Sequence, residues 1–496
     1  MQVSIVNYKE MIKESNSLRS DAEFFRSDYL KIQKVLMHKP FKKLLDYGVK
    51  IRHPGEIKRN YVEDGVFFLR AQNVRPLRID TLSNPVYIAE HDAKRLSDNT
   101  VKKGDILITR TGANFGQCAV YLEDIQTIAS SHTFIVKSGE LNPFFLSVFL
   151  NTKYGRQLID KGMYGCSQPE IAPYFLYRIP LPLLYEIPQI IEDIYLKSQE
   201  LINLSASLYK QTQDIILSEL GLNRWQPEHQ LSFVRNHSDA RLGERIDAEY
   251  FQPKYEKIIN TIKSYKGGWD TLENLCSLAG HPSNPPYADI DDIDKIFIIT
   301  QKHLGAFTLS DEFWKDEGAL FTGKEFAKKN KQYILQEDDV LLYSVGAYIG
   351  KANIYKKSIY KENIRATIGS FLTLLRTKKE RLNPYYLMSF LNTEPGLAIS
   401  KQHQRGMAQQ YLYPYDIKTF PIPIPDEKIQ SMIQQKITES FNLHKKSKYL
   451  LECAKKTVEI AIEQDEQTAV QWLESENQYN MSKAAEPHLI GGKLYT

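Results

Sequence analysis

Cysteine is scarce: four residues in 496, at 118, 166, 276 and 453. No two have metal-ligand spacing, so neither a disulfide scaffold nor a zinc site is expected, and the scatter points to a reducing compartment. Eleven dispersed histidines, and the lack of any carboxylate cluster with nuclease or metal spacing, argue against metal chemistry as well. Long apolar runs are missing. FFLSVFL at 144–150 falls well short of the roughly 18 residues that span a bilayer. MQVSIVNYKEMIKESNS lacks the basic and then apolar run of a signal peptide. These absences predict a cytoplasmic protein. A strong charge of either sign is missing too. The 64 Lys and Arg against 60 Asp and Glu leave +4, which allows nucleic acid as a partner without requiring it. With 42% hydrophobic and 25% charged residues the composition is ordinary for a globular protein, long enough for roughly two to four domains.

What is present is a repeat. DAEFFRSDY at 21–29 returns as DAEYFQPKY at 247–255, 226 residues later, and QVSIV at 2–6 returns as QLSFV at 230–234. GDILITRTGANFGQCAVY (104–121) matches DDVLLYSVGAYIGKANIY (338–355) at an offset of 234. LNPFFLSVFLNT (141–152) matches LNPYYLMSFLNT (382–393) at 241. GCSQ (165–168) and IPLPLL (179–184) return as GMAQ (406–409) and FPIPIP (420–425). The growing offset is that of a duplication whose copies differ by loop insertions. Each copy opens with a β-rich segment, in which GVFFLRAQNV, GDILITRTG, CAVYLED and HTFIVKSGE cluster or alternate apolar residues as half-buried strands do. A proline-punctuated exit follows, which can continue neither a helix nor a central strand. Then comes a long helical run.

In the first run Ile187, Ile194, Leu201, Leu208, Ile215 and Leu222 recur every seven residues, with Ile190 and Leu204 in the seam between and Gly221 as a stop. The second run offers Ile433, Ile437, Leu451, Ala454, Val458 and Ala461, interrupted by His444. Neither helix is apolar all round. That favours an antiparallel coiled coil between them over each packing on its own domain. The predicted class is α+β: a tandem duplication of a β-rich recognition domain, each followed by a long helix, the two helices pairing. The expected boundaries are 1–183, 184–222, a linker and start of the second repeat at 223–246, then 247–426, 427–464 and a flexible polar tail at 465–496.

GDILITRTG, the LNP and FLN segment, the Gly and Gln before the proline exit and the two helices, in this order and twice over, resemble the DNA-specificity (S) subunit of type I restriction–modification systems. The resemblance runs from Gln2 to about Gln464. It implies a subunit that does no chemistry and binds double-stranded DNA through two target-recognition domains, one per half of a split site. It further implies the paired helices as a ruler, two DNA adenine methyltransferase copies as partners, restriction or translocase subunits as further candidates, and no cofactor. Physical logic agrees. A helix from Ile187 to Leu222 would span roughly 50 Å, on the order of one and a half turns of B-DNA. Two readers that share a frame but not their loops should read an asymmetric, interrupted target.

One motif points elsewhere. Asn284-Pro285-Pro286-Tyr287 is the signature of enzymes that methylate an exocyclic amine on a flipped base, the Asn accepting from the amine and the Tyr stacking on the ring. Such a motif should end a hydrophobic strand, yet Gly280 and Pro282 break the chain just before it, and no glycine-rich turn for S-adenosylmethionine is present. A recognition loop in which Asn284 and Tyr287 touch DNA is the preferred reading, and a catalytic amino-methyltransferase the alternative. A DNA-binding repeat protein without methylase partners is a third.

Candidate base readers follow from donor chemistry. Arg70, Gln72, Asn73 and Arg75 carry forks and amides suited to guanine and adenine edges, with Gln301, Lys302 and His303 at the matching place. Thr109, Arg110, Thr111 and Asn114 follow a strand into a glycine-flanked loop, and Tyr343, Ser344 and Tyr348 replace them in the second copy. Gly112, Gly116, Gly346 and Gly350 suit turns with positive φ better than phosphate binding. Gln168 and Gln409 are offered as DNA-facing or as loop-fixing residues. Ser130, Ser131 and His132 look like the start of a strand, with no acid to orient the histidine.

Overall fold

The protein is seen here as a computed structural model. It describes residues 6–9, 11, 19, 21–58, 60–81, 85–112, 114–165, 169–223, 225, 228–238, 245–288, 295–303, 320–346, 348–356, 365–406 and 409–485. The chain divides into two units, residues 1–201 with 445–496, and residues 202–444. Each therefore holds one β-rich segment, the start of one long helix and the end of the other.

In unit one a four-stranded antiparallel sheet runs in the order Cys118–Val120, Ile106–Thr109, Thr133–Lys137, Lys50–Arg52. A second sheet orders Tyr61–Val62, Tyr87–Ile88, Val66–Leu69, Thr127–Ala129 and Thr100–Val101, with Val66–Leu69 and Thr127–Ala129 parallel. The central strands are buried at every position, which is why VFFL and ILIT read as apolar blocks and not as alternations. Unit two repeats the layout. Its four-stranded sheet runs Ala352–Ile354, Val340–Tyr343, Leu372–Thr377, Cys276–Gly280. Its three-stranded sheet runs Phe321–Thr322, Ile296–Ile299, Ala366–Ile368, the last pair parallel.

The repeated motifs are frame residues. Asn142 accepts hydrogen bonds from the amides of Phe144 and Phe145 and so caps helix Pro143–Asn151, while its own amide donates to Glu192 of the long helix at 2.6 Å. Asn383 caps Pro384–Leu391 and donates to Gln434 at 2.6 Å. Asn151 and Asn392 then tie these helices to edge strands, donating to the carbonyls of Cys118 (2.9 Å) and Ala352 (2.8 Å). In GDIL and DDVL the buried aspartates Asp105 and Asp339 accept from the amides of Lys102 (2.9 Å) and Gln336 (2.7 Å). Asp105 pairs with Lys137, and Asp339 takes both arms of Arg376 at 2.8 and 2.7 Å.

The long helices occupy Ile187–Glu219 and Glu427–Glu463. In unit one Ile187, Ile191 and Tyr195 share a core with Ala454, Val458 and Ala461. In unit two Tyr209, Ile216 and Leu220 share one with Ile433 and Ile437. Pairing and packing on the domains thus occur together. The apolar heptad holds at Ile187, Leu201, Leu208 and Leu222, which are buried, while Ile194 and Ile215 are half-buried beside the buried Tyr195 and Ile216. Ser198, Ser205 and Thr212 are buried in the seam between, and Leu204, expected there, is 44% exposed. Serine hydroxyls take its place. Ser198 and Ser447 meet at 2.9 Å in unit one, and in unit two Ser205 and Ser440 each donate to the other's carbonyl at 2.8 Å. Counting apolar residues misses a seam that satisfies its polar groups in place.

The tail also differs from the expected disorder. Residues Glu466–Ala485 form a helix that buries Ala469 and Leu473, with Val470 and Trp472 packed on the core of unit one. Glu466 accepts from the amides of Tyr185, Glu186 and Ile187 at 2.7 to 3.1 Å, capping the first long helix from the far end of the chain. Among the described residues no helix is long and apolar enough to cross a membrane.

Candidate nucleic-acid interface

Three strand ends of unit one converge. Val66–Leu69 leads into the turn Ala71–Asn73, Thr127–Ala129 into residues 130–132, and Ile106–Thr109 into a loop flanked by Gly112 and Gly116 at φ +90 and +74. The Ser130 amide donates to the Leu69 carbonyl (2.9 Å) and the Arg110 amide to that of His132 (2.8 Å), holding the ends together. They enclose a recess of about 330 Å³ lined by Tyr61, Arg70, Gln72, Thr109, Thr111, Asn114, Ser130 and His132. The Arg70 guanidinium lies 5.9 Å from the centre of the Tyr61 ring, and Gln72 is exposed. The Thr111 hydroxyl and His132 Nδ1 are 2.9 Å apart. Thr109 Oγ1 and Ser130 Oγ are buried at the wall and have no hydrogen-bond partner among the described residues.

The recess thus brings together Arg70, Gln72, Thr111 and Asn114 of the expected readers, and adds Tyr61, Ser130 and His132. His132 lies in the turn that leads into strand Thr133–Lys137, and it also lines the recess. Asn73 is corrected: it is 2% exposed, its side chain accepting from the Arg70 amide and donating to the Asp80 carbonyl. Its amide closes the turn that presents Arg70 and Gln72. Arg75 is half-buried in the hairpin Val74–Arg75 with Arg78–Ile79. Arg110, also half-buried, lies 3.7 Å from Glu170. Gln168 lies outside the described residues.

The same hydrogen bonds define the matching positions of unit two. Gly369 donates to the Ile299 carbonyl (2.9 Å) and Ser344 to that of Phe371 (3.0 Å), so Ser130 corresponds to Gly369, Arg110 to Ser344 and His132 to Phe371. Thr109, Thr111 and Asn114 give way to Tyr343, Val345 and Tyr348, and Arg70 to Thr300. The polar wall becomes apolar. Gln301 folds its side chain onto the Val345 carbonyl, over Gly346. His303 is fully buried and its Nδ1 accepts from the Thr300 amide at 2.8 Å, which is the role of Asn73 in other chemistry. Lys302 sits in the same turn. Tyr343 and Ser344 are both 2% exposed, Ser344 bonding Thr373 at 2.6 Å, so neither can reach a base edge. Burial raises the Tyr343 hydroxyl above its ordinary range, with Tyr348 adding to the effect. Tyr348 is 41% exposed, and Gln409 is exposed with its carbonyl accepting from the Tyr411 hydroxyl at 2.8 Å.

Asn284 and Tyr287 stand on no active-site scaffold. Strand Cys276–Gly280 precedes them and stops at Gly280, where the sequence breaks it. It pairs antiparallel with Leu372–Thr377 and ends before the motif begins. The Asn284 side-chain carbonyl accepts from Ser370, and Tyr287 is 75% exposed among the described residues. Among the described residues no group of three or more His, Cys, Asp or Glu could hold a metal.

Comparison with known proteins gives one family match: residues 295–456 fit the type I restriction modification DNA specificity domain. Solved structures with similarity include the type-I restriction-modification system S subunit from M. genitalium, at 11% identity over 86% of this chain and 95% of that one, TM-score 0.37. The HsdS subunit from Thermoanaerobacter tengcongensis shows 16% identity over 84% and 97%, TM-score 0.27. A chain from a study of assembly and conformational transition of the type I R-M system shows 16% over 86% and 98%, TM-score 0.29. No curated protein sequence matches.

Proposed function

Taking the chain as a DNA-specificity subunit of a type I restriction–modification system, a recognition component and not an enzyme, we propose that its two units read two different half-sites of one interrupted DNA target. It binds DNA and assembles with the other subunits of such a system. Two adenine methyltransferase copies and, where present, a restriction or translocase subunit are the partners we assign, at work in the cytoplasm. The long helices, roughly 50 Å over the 33 residues of the first, would set the gap between half-sites.

One observation carries this reading. The two units share strand order and hydrogen-bonded strand ends, yet Thr109, Thr111, Asn114 and His132 in one stand where Tyr343, Val345, Tyr348 and Phe371 stand in the other. A common frame with unlike walls is what reading two unlike base sequences requires. The test is a genome-wide map of N6-methyladenine with and without this chain, its methyltransferase partner held constant. A split motif with a fixed gap should lose methylation when the chain is absent. Methylation that persists, or a single undivided motif, would overturn the reading.

A further inference from the structure

Where unit one ends its strands in polar side chains, unit two exposes two aromatic rings. Phe371 sits in the turn 369–372, which the Leu372 amide closes by donating to the Gly369 carbonyl at 3.2 Å. The turn is pinned at two further points. The Gly369 amide donates to the Ile299 carbonyl at 2.9 Å, and the Ser370 hydroxyl donates to the Asn284 side chain. The Phe371 carbonyl accepts from Ser344 at 3.0 Å, yet the Phe371 side chain is 48% exposed. Tyr348, 41% exposed, lies in the loop between Gly346 and Gly350, whose φ values are +93 and +87. Its ring meets that of the buried Tyr343 edge-on at 5.9 Å, and the Lys351 ammonium lies 5.3 Å from its centre. Both rings are therefore presented from fixed backbone and not from loose loops.

Resting on the two-reader function above, we propose that Phe371 reads a thymine in the half-site of unit two through the C5-methyl group of that base. Three observations support the assignment. The first is place. Phe371 matches His132, which lines the recess of unit one, and the bond it accepts from Ser344 matches the one His132 accepts from Arg110. The second is chemistry. A phenyl ring carries neither donor nor acceptor, and the one apolar group that any of the four bases presents in the major groove is the thymine methyl. The third favours DNA over an apolar protein surface as the occupant. Lys351, beside Tyr348, is half-buried with no carboxylate partner among the described residues, and burial alone holds its ammonium below the usual lysine value. A backbone phosphate brought alongside would offset that burial.

The experiment measures binding of the full chain, in complex with its methyltransferase partner, to duplexes carrying the split motif that the methylation map defines. Each thymine, on either strand, is replaced in turn by uracil, which pairs identically and lacks only the methyl group. At one thymine of one half-site the replacement should weaken binding roughly three- to tenfold. Phe371→Ala should abolish that sensitivity and leave the uracil profile of the other half-site unchanged. Should Phe371→Ala lower the melting temperature of the complex, Phe371→His decides in its place, with the same loss expected, because unit one carries histidine in the same frame. Uracil that is silent throughout the split motif, or a motif with no A·T pair, would overturn the proposal. So would a sensitivity that survives both substitutions, since the methyl group would then be held by another residue or by the methyltransferase. Release of the methyltransferase by Phe371→Ala, with the uracil profile intact, would make the turn a protein contact and overturn it as well. A methylation map with no split motif would instead defeat the two-reader function on which the proposal rests.

Discussion

At the ends of equivalent strands, unit one places Arg70, Thr111, Asn114 and His132 where unit two places Thr300, Val345, Tyr348 and Phe371. Beneath them the units agree nearly residue for residue in what is hydrogen-bonded. Asn142 and Asn383 cap, Asn151 and Asn392 tie helix to strand, and Asp105 and Asp339 brace the strand that carries the loop. The frame is shared between copies because its aspartates are buried and its asparagines half-buried, each with partners to keep. The loop tops lie outside this hydrogen-bonded frame, and their side chains differ between the copies. Even within the frame the two copies solve the same problem with different strength, and that difference can be measured.

The largest contrast lies at the buried aspartates. Asp339 is 2% exposed and held by both arms of Arg376, which itself donates to the carbonyls of Gln332 and Ile334, whereas Lys137 beside Asp105 is half in solvent. Arg376→Ala should cost about 3 kcal/mol in chemical denaturation, because it strands a buried carboxylate. Lys137→Ala should cost about 1 kcal/mol or less, since water can replace an exposed ammonium. Equal losses would show that the two braces are equivalent after all.

Helix capping gives a smaller contrast. The first long helix borrows Glu466 for three amides, while the second uses its own Asp426, which accepts from Ile429 at 2.9 Å. Glu466→Ala should lower stability by about 1 kcal/mol, and Asp426→Ala by roughly half that, read from the same denaturation curves. If Glu466→Ala is silent, residues 466–485 are dispensable to unit one.

The smallest effect is one of pH. Position 104 is Gly with φ +90, and its match Asp338 adopts φ +74, which a side chain rarely does. Burial alone would raise the Asp338 carboxyl, but the Lys356 ammonium at 2.7 Å and Lys379 at 3.0 Å outweigh it and hold it below the usual carboxylate value. Because its folded value lies below the unfolded one, this carboxylate adds stability above about pH 4 and loses it as pH falls through the folded value. Asp338→Asn, which tolerates the same backbone, should flatten the acid limb of stability against pH by a few tenths of a kcal/mol. An acid limb identical to that of the parent chain would remove Asp338 from the account.

Much of this architecture is legible in the residues. Apolar blocks marked the central strands, prolines marked the exits, and LNP and FLNT are caps and ties whose chemistry is local. The recess was half legible: forked and amide side chains after a strand pointed to Arg70, Gln72, Thr111 and Asn114. Asn73, at 2% exposure, is turned inward by the short cap it makes with the Arg70 amide, while Gln72 beside it turns outward. His303, Tyr343 and Ser344 are likewise turned inward, and Tyr61 joins the wall from the short strand Tyr61–Val62, whose sequence carries no mark of it.

The sequence by itself determined the duplication and the element types, because periodicity, capping and turn chemistry act over a few residues at a time. Only the tertiary structure decided which polar groups were already satisfied. It put serines in the helix seam and Glu466 on the first helix, and it opened a wall around Arg70 where unit two closes one around Gln301. A hydrogen bond between residues 281 positions apart, like that of Glu466 to Tyr185, leaves no trace in local pattern.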